Sequence, residues 1–250
     1  MAVSIKSARE IKLMREAGKR LAHVHQELEA MIAPGISTWE IDAKGEKLIR
    51  DCGCIPNFLH YNGYPASICV SVNDEVVHGI PRKDRYLKEG DIVSLDAGLI
   101  YKGYHSDAAR THAVGKVSTE AQKLMDVTKQ SFFEGIKMAK EGQHLHDISR
   151  AIEEYVAPYG YGIVRDLVGH GIGTALHEDP QIPNYAQKRR GVRLQAGMTL
   201  AIEPMINAGT WQVRFLRDGW TVVTKDGSLS AHYENTILVT DGEPEILTLY

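Results

Sequence analysis

The chain has 250 residues, 43% of them hydrophobic, and a formal net charge of −3. That length supplies enough apolar side chain for a sizeable core, in one large domain or two small ones, and the mild acidity, with no basic tract, excludes a surface built to track nucleic acid. The amino-terminal stretch MAVSIKSAREIKLMREAG is charged where a secretion signal is apolar, and no later run is long enough to cross a bilayer. A soluble, intracellular and cytoplasmic protein that stays out of membranes is therefore expected. Cys52, Cys54 and Cys69 are odd in number and lack CxxC spacing, which argues against a disulfide framework or structural zinc.

In chain order, Ser7 with Glu10 and Ser37 with Glu40 fit the capping box, and apolar residues at helical spacing follow each pair. The first helix is amphipathic through Ile11, Met14, Leu21, Val24, Leu28 and Ile32, and the second runs from about Thr38 to Cys52. Strand-like runs come next, ASICVSV from Ala66 and DIVSLDAGLI from Asp91, with a returning arm through Thr111. A two-residue turn at Lys102 and Gly103 makes position i face position 205 − i, so Asp107 lies opposite Gly98 and Asp96 opposite Ala109. Both carboxylates then point to one side as diagonal neighbours, roughly 6–8 Å apart between Cβ atoms, where like charges repel unless a cation or shared proton lies between them. On this stretch alone, two surface aspartates on a solvated hairpin explain the pattern equally well.

A second pair of helices is expected near Thr119 to Lys140 and Leu145 to Tyr159. One offset, 107 positions, aligns several features: Gly35 with Gly142, Gly53 with Gly160, GISTWEI with GQHLHDI, and GDIVSLD with GMTLAIE. It also maps Asp96 onto Glu203. A helix, helix, strand, strand order thus occurs twice, in halves of roughly 1–115 and 116–250, with no Pro-rich or low-complexity linker between them. We read one catalytic domain of the α+β class with helices covering one face of a mostly antiparallel sheet, its halves related by a pseudo-twofold axis that sets Asp96 opposite Glu203.

The second half adds Glu203 in TLAIEP, Glu234 in AHYENTILV and His170 in LVGHGIG, each interrupting an apolar run. Taken singly, such residues are more often hydrogen-bonded oddities or an exposed strand face. Four carboxylates aimed at one cleft carry too much negative charge to stay ionised without cations, and a dinuclear divalent site resolves that conflict.

Together HGIP (78–81), the DAG and SDAAR pair, GHGIG (169–173), LHEDP (176–180), IEPM (202–205) and HYENTILV (232–239) give a pattern that resembles the type I methionine aminopeptidases, in their short bacterial or organellar form, nearly end to end. The resemblance implies the pita-bread fold. It implies that Asp96, Asp107, His170, Glu203 and Glu234 bind metal, with Asp107 and Glu234 bridging. It further implies catalytic roles for His78 and His177, and a methionine pocket formed by Phe58, Tyr61, Tyr64, Cys69, Leu176 and Trp220. Phe58 and Leu176 stand where other members carry different residues. For the aromatic residues simple core packing is an equal alternative, and His78 taken alone reads as a turn histidine before Gly79.

The implied cofactor is a pair of divalent ions per chain, drawn from Co²⁺, Mn²⁺, Fe²⁺ and Zn²⁺, with a donor set of four carboxylates and one imidazole that favours the hard or borderline ions. Two such ions about 3.5–4 Å apart share a hydroxide that attacks a peptide carbonyl near neutral pH. Glu203 is the expected general base and His177 the expected donor to the substrate carbonyl or oxyanion. The implied substrate is the amino-terminal methionine of nascent polypeptides and peptides whose second residue is small. Association with the ribosome is left open, and a centre enclosed in one chain is expected to work as a monomer. Prolidases and Xaa-Pro aminopeptidases carry a large extra amino-terminal domain, and type II methionine aminopeptidases an insert that the 26 positions from His177 to Glu203 cannot hold. A metal-free binding module on the same fold is the alternative from a different class, against which stand all five ligand positions.

Overall fold

A computed structural model describes residues 3–249. The first half runs through helices α1 (Ala8–Glu29) and α2 (Thr38–Asp51), strands β1 (Ile55–Pro56), β2 (Ile68–Val72) and β3 (Glu75–Val77), and a long hairpin of β4 (Ile92–Tyr101) and β5 (Tyr104–Ala113). The second half opens with α3 (Thr119–Ile136), α4 (Leu145–Val156), β6 (Gly162–Ile163), β7 (Gly169–Gly171), β8 (Glu178–Ile182) and β9 (Thr199–Ile202). It closes with β10 (Met205–Asn207), β11 (Val213–Phe215), β12 (Val222–Thr224), β13 (Ser230–His232), β14 (Glu234–Leu238) and β15 (Glu245–Ile246).

Both expected capping boxes form: Ser7 and Ser37 accept from the backbone N–H groups of Glu10 and Glu40, whose carboxylates accept from Ser7 N and Ser37 N. The second pair of helices is shorter than its apolar pattern suggests. Pro158 lies just past α4 and cannot donate the next helical bond, so residues 157–159 tighten into a 3₁₀ turn. Past α3, Lys140 leaves the helix to bridge Thr240.

The main sheet runs β1–β4–β5–β14–β9–β7–β8, with β2 also on β4 and β15 on β14. Its paired strands are antiparallel. The two-residue turn sets the hairpin register, because Lys102 and Gly103 both have positive φ, 50° and 85°, the geometry of a type I′ turn. Asp96 faces Ala109 and Gly98 faces Asp107, as the spacing predicts.

The duplication is visible in the backbone. Gly35, Gly53 and Gly90 have φ of 93°, 70° and 90°, and their partners at the same offset, Gly142, Gly160 and Gly197, have 88°, 71° and 94°. Gly35 N donates to Leu87 O and Gly142 N to Leu194 O, while Asn57 N donates to Gly98 O and Val164 N to Met205 O. Each half has its own core: Leu21, Ile41, Ile68 and Leu95 in the first, Phe132, Ile148, Leu200 and Ile237 in the second. A third apolar cluster joins them, with Met14, Phe58, Tyr64 and Cys69 from one half packed with Ile172, Leu176 and Leu247 from the other. At the centre β5 pairs with β14, Ala109 opposite Glu234, and the two halves meet there in one continuous ladder.

Candidate metal centre

The middle strands deliver the acidic side chains. Asp96 and Asp107 occupy interior positions of β4 and β5, Glu234 begins β14, and Glu203 directly follows β9. The ligand atoms of Asp107, His170 and Glu234, all buried, lie within 4.8 Å of one another. Glu203 joins them, its Oε1 3.6 Å from His170 Nε2. Asp96 is close enough to Asp107 to share a hydrogen bond between carboxyl groups. Asp107 is fixed through its backbone: its N–H donates to Thr236 Oγ1 at 3.0 Å, and that hydroxyl donates to Asp107 O at 2.9 Å. His170 Nδ1 pairs with Gly171 O at 2.9 Å, an arrangement that places the proton on Nδ1 and leaves the Nε2 lone pair directed at the cluster.

The electrostatics are those of a cradle for cations. Burial raises Asp107 well above the ordinary carboxylate range, and repulsion from Glu234 and Asp96 adds to it. Glu203 is raised by burial and then by Asp96 and Asp107, Glu234 by burial and then by Glu203 and Asp96. Asp96 is pushed up to about 7 by burial. Asp96 Oδ1, Asp107 Oδ1 and Glu234 Oε1 are buried without a hydrogen-bond partner among the described residues. Polar atoms in that state cost about 1–3 kcal/mol each, more when charged, and coordination of divalent cations is the direct way to satisfy them. The donor set therefore fits divalent metal.

The same cavity, about 230 Å³, holds every site residue predicted from the sequence. Phe58, Tyr61, Tyr64, Cys69, Leu176 and Trp220 line it beside the acidic cluster, together with His78 and His177. Tyr61 Oη lies 2.8 Å from His177 Nδ1, and the His170 and His177 rings stand 4.3 Å apart. Trp220 meets Tyr64 edge-on at 5.1 Å and His78 at 6.2 Å. Tyr64 Oη donates to Gly79 O at 2.9 Å. His78 has φ 59°, a left-handed conformation uncommon outside glycine, and burial lowers its imidazole to about 4. Cys69 faces Asp96 across the β2–β4 ladder, and burial keeps its thiol protonated.

Two residues that the sequence did not single out belong to this region. Asn62, at φ 50° in the 3₁₀ turn Tyr61–Gly63, lines the cavity. His232 is 1% exposed, and its Nε2 lies 3.7 Å from Glu203 Oε2 and 4.0 Å from Glu234 Oε2. It stands two positions before Glu234, at the end of β13 just before β14 begins, and that nearness in sequence to an expected ligand is the signal that could have found it. It also lines a second cavity of about 360 Å³, whose walls include Arg110, His112 and Lys129.

Comparison with known proteins agrees with this arrangement. Residues 12–241 match the model of metallopeptidase family M24. The chain is 53% identical over 247 residues to the methionine aminopeptidase of Clostridium acetobutylicum, covering 99% of each chain. It is 51% identical to methionine aminopeptidase 1 of Bacillus subtilis over 97% of this chain and 98% of that one. The crystal structure of the methionine aminopeptidase from Thermotoga maritima superposes over all of both chains with a TM-score of 0.97 at 46% identity, and the fold is the pita-bread fold. The acidic cradle, the duplicated sheet around it and these full-length likenesses lead to one assignment: the chain belongs to metallopeptidase family M24 and, within it, to the methionine aminopeptidases.

Proposed function

We propose that the protein is a single-domain, metal-dependent aminopeptidase that removes the amino-terminal methionine of nascent proteins and peptides when the second residue is small. The observation that carries this reading is the convergence of four carboxylates and His170 on one cavity, with buried oxygens that lack other partners. Asp96, Asp107, His170, Glu203 and Glu234 would hold two divalent ions. When bound, such ions lower the pKa of a water toward neutrality and polarise a substrate carbonyl.

The chain's own residues do the rest. Glu203, its side chain 14% exposed, would take a proton from the attacking water and return it to the leaving amine. With the Tyr61 hydroxyl as donor to His177 Nδ1, 2.8 Å away, the imidazole proton would lie on Nε2 and would donate to the carbonyl oxygen as charge develops there. His78, held beside Trp220, would contact the amide nitrogen of the scissile bond. Phe58, Tyr61, Tyr64, Cys69, Leu176 and Trp220 surround a space suited to an unbranched thioether, and aromatic and sulfur-bearing walls favour that side chain. Beside that pocket the site would accept only a small second residue.

The test is to strip the protein of metal and titrate Mn²⁺, Fe²⁺, Co²⁺ or Zn²⁺ back in the presence of Met-Ala-Ser. Methionine release should be absent without metal, rise to saturation with it, and rank the ions. No release with any ion at any concentration would overturn the reading and favour a binding module.

A further inference from the structure

His177 sits on a short loop between β7 and β8, and that loop is tied to the far amino-terminal end of the chain. Glu178, next to His177, is the knot. Its Oε1 accepts from Thr174 N at 2.8 Å and from Ala175 N at 3.2 Å, while its Oε2 accepts from Ser4 Oγ and from Lys6 Nζ, both at 2.7 Å. One carboxylate therefore closes the loop on itself with one oxygen and anchors it with the other.

The anchor is itself fixed. Lys6 is only 7% exposed, its N–H donates to Gly197 O at 2.8 Å, and its ammonium also donates to Ser4 Oγ. Packing leaves no slack: a Cβ on Gly173 would meet Lys6 Cε at 2.6 Å and Glu178 Oε1 at 2.6 Å. The ammonium and carboxylate side chains are 5% and 15% exposed. Burial alone would raise Glu178, but hydrogen bonds from Lys6 and Ser4 outweigh it and hold the group ionised at about 2. An ion pair this enclosed is costly to break from one side, because the remaining charge stays buried without its partner.

On its other side the loop carries Leu176 and His177 into the cavity, where His177 meets Tyr61. We propose that Lys6 and Glu178 are positioning residues: their ion pair straps the 173–178 loop to the amino-terminal segment and so fixes where the His177 imidazole points. The proposal rests on the role given above to His177. Neither Lys6 nor Glu178 reaches the substrate space; they act through the loop backbone, and a shift of about 1 Å in a group that must meet a developing charge costs on the order of 10²-fold in rate.

Lys6→Met, Lys6→Arg and Lys6→Met in a His177→Ala background should be assayed as metal-loaded enzyme with Met-Ala-Ser, alongside the nitrogen resonances of the His177 ring. Lys6→Met should lower kcat by about 10- to 10²-fold with KM and metal content unchanged, and should shift or broaden the His177 ring signal. Lys6→Arg should restore most of the rate, and in the His177→Ala background Lys6→Met should change kcat by less than about twofold. Multiplicative losses in the double variant, or an unchanged kcat and ring signal in Lys6→Met, would overturn the strap while leaving the aminopeptidase reading intact. If His177→Ala alone keeps full activity, the role of His177 fails instead, and the ring signal still judges the strap. Should Lys6→Met not fold, Glu178→Gln, which keeps the volume and removes the charge, is read in the same way.

Discussion

The two halves share a backbone plan and differ in what they do with it. In the first, β4 and β5 are long strands joined by a two-residue turn, and both aspartates leave interior positions of a fully paired ladder. In the second, the corresponding strands β9 and β14 are short, and residues 203–233 run between them. There Glu203 and Glu234 stand at strand ends and use the longer side chain. The intervening segment forms β10 to β13, pairs β12 with β3 of the first half, brings Trp220 to the cavity and sets His232 beside Glu203 and Glu234. Duplication thus built a symmetric cradle for charge, and one opened turn made the surroundings asymmetric, as a substrate with distinct ends requires.

The sharpest way to break this comparison is at the centre. Asp107→Asn and Glu234→Gln alter the two strands that meet across the axis. Each should reduce methionine release by about 10³-fold or more and lower metal content by elemental analysis. A variant that kept both near wild type would show that the halves do not contribute equally.

Acid should act on both halves through buried imidazoles, for burial also lowers His170 and His232 of the second half to about 3. His25 in α1 and His112 in β5 belong to the first; burial keeps His25 far below its ordinary range and lowers His112 to about 4. The unfolded imidazole has a pKa of about 6.5, so the unfolded state takes up the proton first. Stability from these groups is present above about pH 6.5 and is lost as pH falls, by about 1 kcal/mol each at pH 5.5. The raised carboxylates have the opposite sign: in metal-free protein their contribution is complete below about pH 4 and is lost as pH rises through their folded values. Urea midpoints of metal-free protein should therefore show His112→Gln losing about 1 kcal/mol less than the parent between pH 7.5 and 5.5. An unchanged acid loss would remove His112 from the account.

The smallest expected effect tests the repeat itself. Gly35 and Gly142 hold φ of 93° and 88° at matching turns. An alanine Cβ would meet nothing within 4 Å at Gly35 and only Arg193 at 3.5 Å at Gly142, so backbone strain sets the cost at both. Gly35→Ala and Gly142→Ala should each destabilise by about 1 kcal/mol. Unequal losses in urea melts would mean that the two turns are alike only in outline.

Much of the site was legible because it is built from local geometry. The Lys102–Gly103 turn fixed the register that puts Asp96 and Asp107 on one side, and the recurring glycines exposed the repeat that pairs Asp96 with Glu203. What escaped was nonlocal. Lys6 and Glu178 are separated by 172 positions, and nothing in the residues around either one announces the other. His232 lies in a buried strand where the default reading of a polar residue is a satisfied one, and only its distances to Glu203 and Glu234 show otherwise. The helix ends were misjudged for a related reason: apolar periodicity continues past α3 and α4, whereas Pro158 and the bridge from Lys140 to Thr240 decide where they stop.

By itself the sequence determined the caps, the turns, the duplicated order of elements and the chemical character of the groups aimed inward, because each depends on a few neighbouring residues and their dihedral preferences. The tertiary structure alone decided that carboxylates from both halves share one buried space, that His170 presents Nε2 to them, and that the His177 loop is tied to Lys6. Those outcomes depend on how far apart in space distant segments come to rest and on how completely water is excluded between them. Desolvation and Coulomb repulsion take their size from that packing, which no local pattern contains.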